Sequence, residues 1–275
     1  MKLISFNHQN QNKVGAVVDD NIIVSSYSNM IELLEAGQTA LAELKNGVAS
    51  LNLSEVKLLA PIPRPPKFLA IALNYGEHIN ETGMARPDYP MFFSKQSTCV
   101  IACGDDIWMP KVSNKLDYEG ELAFVIGKRC RHVAVENAHK VIAGFMIAND
   151  VTVRDWQARS QTMMIGKSFD TCGPLGPYLV TADEIQDPHN LSLKTWVDDE
   201  LRQNANTSEM LFNCYEMIVY LSQAMTLEVG DVISTGTPSG VGVKMSPRGY
   251  LKVGQTVRIQ IEGLGELQNT VIDEP

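Results

Sequence analysis

The chain contains no run approaching the ~18 consecutive apolar residues that a membrane-spanning helix requires. It has no CxxC pair, and its five cysteines, Cys99, Cys103, Cys130, Cys172 and Cys214, are odd in number and irregularly spaced. That pattern argues against a disulfide framework or a zinc ribbon and for reduced thiols, mostly small core residues. Positive charge is short as well: the formal net charge is -9 over 275 residues. Nucleic acids and acidic membranes want a basic face, so neither is expected as a partner. Small anionic ligands stay open, because a bound cation reverses the local sign. The first residues, MKLISFNHQNQNK, lack the apolar h-region of a signal peptide, and a soluble cytoplasmic protein is the expectation. There is no repeat at solenoid period, no low-complexity tract, no heptad and no EF-hand loop.

What is present fills a large core, since 44% of the residues are hydrophobic. Short alternating runs in residues 1–27 predict a small antiparallel sheet, and Ile31, Leu33, Leu34, Leu41 and Leu44 predict one or two short helices. PIPRPP, residues 61–66, is a stiff extended linker and the expected boundary of an N-terminal lobe. Beyond it, FLAIALNY, MFFSK and AGFMIAND read as strands, with a short helix around His78 to Glu81. VTVRDWQARSQ reads as helical, and the longest helix is expected from about Glu209 to Met225 with Ser208 as its cap. Strands outnumber helices without a βαβ rhythm, which predicts a mainly β or α+β fold.

One stretch conflicts with burial. KLDYEGELAFVIG, residues 115–127, reads as a strand entering the core, yet it carries Asp117, Glu119 and Glu121 at alternate positions. Alternate side chains share a face, and like charges there are costly unless solvated or bound to a cation. All-oxygen donors point to a hard cation, Mg²⁺ or Mn²⁺, with Ca²⁺ a further candidate. Asp150 ends the apolar run GFMIAND; read alone it fits a helix cap, and beside the other acids it becomes a third candidate ligand.

Other features are weaker singly. His78 and Glu81 stand three apart, so on a helix the carboxylate orients the imidazole as a general base requires. A pair of this kind is more often surface decoration. Lys167 sits in IGKSFDTCGPLGP. The turn TGTPSGVG, residues 235–242, offers backbone amides to a ligand but is neither a P-loop nor a dinucleotide fingerprint. A tight hairpin connection is the plain alternative.

In this order the motifs resemble the fumarylacetoacetate hydrolase superfamily. NYGEH, DYEGELAFVIGKRCR, AGFMIANDVTVRDWQ, GKSFDTCGPLGP, WVDDELRQ and GDVISTGTPSGVG carry the resemblance from about residue 67 to 270. It implies a mixed β-sandwich roll, with residues 1–60 as a small N-terminal α+β lobe and 67–275 as the catalytic domain, and a homodimer. Glu119, Glu121 and Asp150 would hold the metal, leaving Asp117 outside the ligand set. His78, Glu81 and Lys167 would be catalytic, and Gln157, Thr237 and Arg154 would bind substrate. The fumarylacetoacetate-cleaving enzyme draws a further aspartate from the strand before its catalytic histidine, where this chain has Asn74. That departure favours smaller substrates.

The implied reaction is metal-dependent hydrolysis of a C–C bond in a 1,3-dicarbonyl 2-oxo acid, such as an acylpyruvate or fumarylpyruvate. Oxaloacetate decarboxylation, keto–enol or double-bond isomerisation of 2-hydroxymuconate-type diacids, and sugar-acid dehydration pass through the same enolate. A non-catalytic metal-binding domain is the rival of another class. It would keep the carboxylates without needing His78, Glu81 and Lys167 together.

Overall fold

Three sheets carry the fold in the computed structural model, which describes residues 1–275. The class is α+β and sheet-dominated, as expected. The largest sheet has twelve strands. Its centre runs Gly173–Thr181, Ile142–Asn149, Gly120–Ile126, Val232–Ser234, Phe68–Ala72 and Met91–Lys95. Val232–Ser234 runs parallel to Phe68–Ala72, and the other pairs in this run are antiparallel, so the sheet is mixed.

The N-terminal hairpins extend the same sheet: Lys2 and Leu3 pair with Val180 and Leu179. The proline-rich segment at 61–66 therefore marks no break in the hydrogen-bonded ladder. The predicted helices there are Met30–Ala36, capped by Asn29, and Gln38–Asn46.

A five-stranded sheet, Glu200–Asn206, Ser192–Val197, Thr256–Ile261, Gly265–Asp273 and Ile107–Met109, packs against the large one across a core of 34 buried apolar residues. Burial of that much apolar area is the main stabilising term. The sheets approach closely at Gly120. A Cβ there would lie 2.2 Å from Thr195 Oγ1 of the second sheet. Only glycine fits between Glu119 and Glu121, so the carboxylates face one way and a bare backbone faces the other.

Three expectations need correction. KLDYEGELAFVIG is not one strand: Leu116–Asp117 pairs with Thr152–Val153 in a separate two-stranded sheet, and the large-sheet strand starts at Gly120. Side chains interrupt the ladder, since Glu119 N–H donates to Asn149 Oδ1 at 3.1 Å and Gly120 N–H to Gln203 Oε1 at 3.0 Å. VTVRDWQARSQ is helical only over Arg154–Gln157, because Thr152 and Val153 are drawn into that small sheet. The long helix is Cys214–Ala224, not 209–225, and its cap is Asn213. Asn213 accepts from Tyr215 and Glu216 N–H while Glu216 reaches back, a capping box that outcompetes Ser208.

Candidate active site and metal centre

Strand direction brings the site together. Gly120–Ile126 starts where its antiparallel neighbours Ile142–Asn149 and Val232–Ser234 end, and Phe68–Ala72 ends beside the latter. Glu119 and Glu121, Asp150, the turn after Ser234 and the helix Gly76–Thr82 therefore meet at one edge. They border a cavity of about 760 Å³ lined by His78, Glu119, Glu121, Arg154, Gln157, Lys167 and Thr237, among others.

One oxygen from each of Glu119, Glu121 and Asp150 lies within 4.8 Å of the others, and all three residues are buried. Asp117 does not join them. Its carboxylate accepts from the N–H groups of Gly242 at 2.8 Å and Val243 at 2.9 Å, and pairs with Arg154 Nε at 2.8 Å. Arg154 extends its other arm to Glu119 Oε1 at 2.7 Å. Nor does Asp150 cap a helix, since none starts at Val151.

Lys167 Nζ bridges Glu119 Oε2 at 2.5 Å and Asp150 Oδ2 at 2.6 Å, and stands 5.2 Å from the centre of the Phe93 ring. An ammonium has three donors, so one is left for a ligand. Lys95, which the sequence reading did not single out, holds the other oxygen of Asp150 at 2.6 Å and the carbonyls of Lys167 and Cys172. Phe93 and Lys95 alternate on the buried face of Met91–Lys95. Ser234 Oγ at 2.5 Å and Gly236 N–H at 2.9 Å hold Glu121 Oε2, also unforeseen.

Four buried carboxylates, Asp117, Glu119, Glu121 and Asp150, thus face three cations, buried Lys95 and Lys167 and partly buried Arg154, and Glu121 alone has no cationic partner. The titration directions agree. Burial would raise Glu119, but Lys167 and Arg154 overcome it and hold its carboxyl well below the usual range. Glu121 is pushed well up, first by burial and then by Asp150 and Glu119. Burial opposes the Lys95 ammonium, yet the Asp150 charge holds it above an ordinary lysine. An excess negative charge on a cluster of oxygen donors fits a hard divalent cation.

A stability prediction follows for the metal-free protein. A raised Glu121 contributes stability that is fully present below its unfolded pKa, near 4.5, and is lost as the pH rises through the folded value. Glu119 acts in the opposite window, below 4.5, so the two do not overlap. In EDTA the Tm should fall as the pH is raised above about 5, and Mn²⁺, which favours the ionised carboxylate, should flatten or reverse that slope. Thermal unfolding at a series of pH values checks it; a metal-independent profile would contradict it.

His78 and Glu81 lie one turn apart on Gly76–Thr82. His78 Nδ1 meets Glu81 Oε1 at 2.7 Å, and Glu81 Oε2 accepts from Gly240 N–H at 3.1 Å. Glycine is required at 240, where φ is 100° and a Cβ would collide with the Arg202 carbonyl. The turn TGTPSGVG is thus no hairpin. It is a scaffold whose amides hold Glu81, Glu121 and Asp117 in place. Thr237 donates its hydroxyl hydrogen to Gly120 O at 3.0 Å and accepts from Gln203 at 2.8 Å. It can offer a ligand no hydroxyl hydrogen. Gln157 accepts from Arg154 at 3.1 Å through its carbonyl, which turns its NH₂ group to the cavity side chains. Asn74 is sealed away from any metal, its amide tied to Phe212 and Thr235.

The family model for the fumarylacetoacetate (FAA) hydrolase C-terminal region matches residues 67–272. The chain is 40% identical over 264 residues to the mitochondrial oxaloacetate tautomerase Fahd2a of Rattus norvegicus, covering 94% of this chain and 84% of the relative. The fold superposes on a fumarylacetoacetate hydrolase from Exiguobacterium antarcticum with a TM-score of 0.90 at 35% identity, over the full length of both chains. It superposes equally completely on a maleylpyruvate hydrolase from a Sphingobium species, solved with manganese(II) and pyruvate, with a TM-score of 0.83 at 31% identity.

Proposed function

Because the chain belongs to the fumarylacetoacetate hydrolase superfamily, we propose that it moves a proton at the carbon beside the keto group of a small anionic 2-oxo acid, interconverting the keto and enol forms of an oxaloacetate-type acid. The observation that carries the reading is the shared cavity. It sets the His78–Glu81 pair, a base with its orienting carboxylate, against Lys167 and the carboxylate cluster. Glu119, Glu121 and Asp150 would hold the cation, Mg²⁺ or Mn²⁺, with manganese present in the Sphingobium relative. Bound there, it would supply Lewis-acid stabilisation of negative charge on the 2-oxo group.

The chain's own groups do the rest. Glu81 accepts from Nδ1–H of His78, which leaves Nε2 as the basic nitrogen. That nitrogen takes the proton from C3 of the keto acid and returns it to the oxygen, or the reverse. The remaining N–H of Lys167 donates to the oxygen as its charge grows, and costs no reorganisation because Glu119 and Asp150 already fix the ammonium. Arg154, pinned by Asp117, keeps Glu119 in position, and Gln157 offers an amide to the substrate.

Hydrolytic C–C cleavage of an acylpyruvate-type acid is the second reading, favoured by the same base, which can equally take a proton from water, and by the maleylpyruvate hydrolase neighbour. A non-catalytic domain would leave the His78–Glu81 pair without a task. The test follows enol-oxaloacetate by its ultraviolet absorbance with Mg²⁺ or Mn²⁺, alongside chromatography of acylpyruvates. The expected result is an acceleration of roughly 10²-fold or more over the metal ion alone, abolished by EDTA. Cleavage without tautomerisation would replace the first reading with the second, and neither activity would overturn both.

A further inference from the structure

We infer that Lys244 is the group that reads the second carboxylate of an oxaloacetate-type acid and selects diacids over monoacids. The inference rests on the reading above that a 2-oxo acid occupies the cavity. Three cations line that cavity: Arg154, Lys167 and Lys244. Arg154 is committed to Asp117 and Glu119, and Lys167 to Glu119 and Asp150. Lys244 makes no ion pair. Its Nζ donates only to the backbone oxygen of Thr82, at 3.1 Å, which leaves two N–H donors unengaged. The apolar part of the cavity lining includes Met84, Met91, Met163 and Val243, suited to an uncharged carbon chain.

The position of Lys244 relative to the carboxylate cluster is set, not incidental. It sits in the short turn Gly242–Lys244, whose first two amides are gripped by the Asp117 carboxylate at 2.8 and 2.9 Å. Asp117 is two residues from Glu119 and is joined to it again through Arg154. One buried carboxylate therefore fixes the backbone that carries Lys244 relative to the metal end of the cavity. This gives Asp117 a role: it anchors that turn. A 2-oxo acid charged at one end only leaves Lys244 solvated, whereas a diacid gains a charge-assisted hydrogen bond inside a partly enclosed cavity.

The test uses two 2-oxo acids of equal chain length, 2-oxoglutarate and 2-oxopentanoate, titrated calorimetrically into the Mn²⁺-loaded protein. Wild type should bind the diacid about tenfold more tightly, a factor of one decade in Kd. Lys244→Gln should erase that preference, Lys244→Arg should retain most of it, and Lys244→Glu should invert it. Equal binding of the two acids by wild type, or a preference unchanged in Lys244→Gln, would overturn the inference. So would an equal loss for both acids in Lys244→Gln, which would make the lysine a mere tie to Thr82. The oxaloacetate assay is read separately. A retained preference without tautomerisation would sink the reaction and leave the diacid site, and tautomerisation without the preference would do the reverse.

Discussion

Glu121→Gln is expected to stabilise the metal-free protein and at the same time to abolish its affinity for a divalent cation. The two effects have opposite signs because Glu121 is the one buried carboxylate of the cluster without a cationic partner. Its carboxyl is pushed well up by burial and by the charges of Asp150 and Glu119, so the native state without metal favours the neutral acid. Glutamine mimics that neutral acid in shape. Its carbonyl can still accept from Ser234 Oγ and Gly236 N–H, so the packing at the end of Val232–Ser234 survives. In EDTA near neutral pH the Tm should rise by roughly 2–4 °C, the shift that about 1 kcal/mol produces in a large domain. Manganese affinity should fall more than ~100-fold, since outer-shell changes alone cost up to that much. Thermal unfolding with and without Mn²⁺, and calorimetric titration of the metal, measure both halves. A variant that melts lower in EDTA, or still binds Mn²⁺ tightly, would refute the assignment.

Glu119→Gln would not separate the effects so well. It removes the charge and one of the two oxygens that hold Lys167 and Arg154 and leaves those cations undercompensated, so lost affinity and lost stability arrive together. This is why the acidic stretch was only half legible in the sequence. Alternation placed Glu119 and Glu121 on one face, and the structure agrees. The same alternation placed Asp117 with them. It could not show that Asn149 and Gln203 side chains replace the strand ladder at 119–120 and send Asp117 into a different sheet.

The sheet-rich fold and most strands were readable because their periodicity is local. The cap at Asn213 was readable in principle from Asn213 and Glu216, but the longer apolar pattern drew the boundary outward. Lys95 was missed for a different reason. A lysine in a strand reads as solvent-facing unless its partner is known, and its partner Asp150 is 55 residues away. Lys244 was illegible as a site residue because the proposal for it rests on its lining the cavity without an acidic partner, which only the packed structure reveals.

His78→Ala is expected to lower kcat by roughly 10²–10⁴-fold, the usual contribution of a positioned general base. Manganese affinity should stay close to wild type, because the imidazole's hydrogen-bond partner is Glu81 and not a metal-ligand carboxylate. That split distinguishes a base from a structural residue. Glu81→Gln should cost less, since Nε2 remains but loses the carboxylate that fixes the Nδ1–H tautomer. The double variant should be no worse than His78→Ala alone, because the two act as one unit. Glu81 also anchors the helix Gly76–Thr82 to the Gly240 amide, so a purely structural account predicts the opposite pattern. On that account Glu81→Gln would be the more damaging change, would raise KM as well as lower kcat, and would add to His78→Ala. Steady-state kinetics on the three variants with saturating Mn²⁺ decide between the two accounts, and additivity would remove His78 from the chemistry.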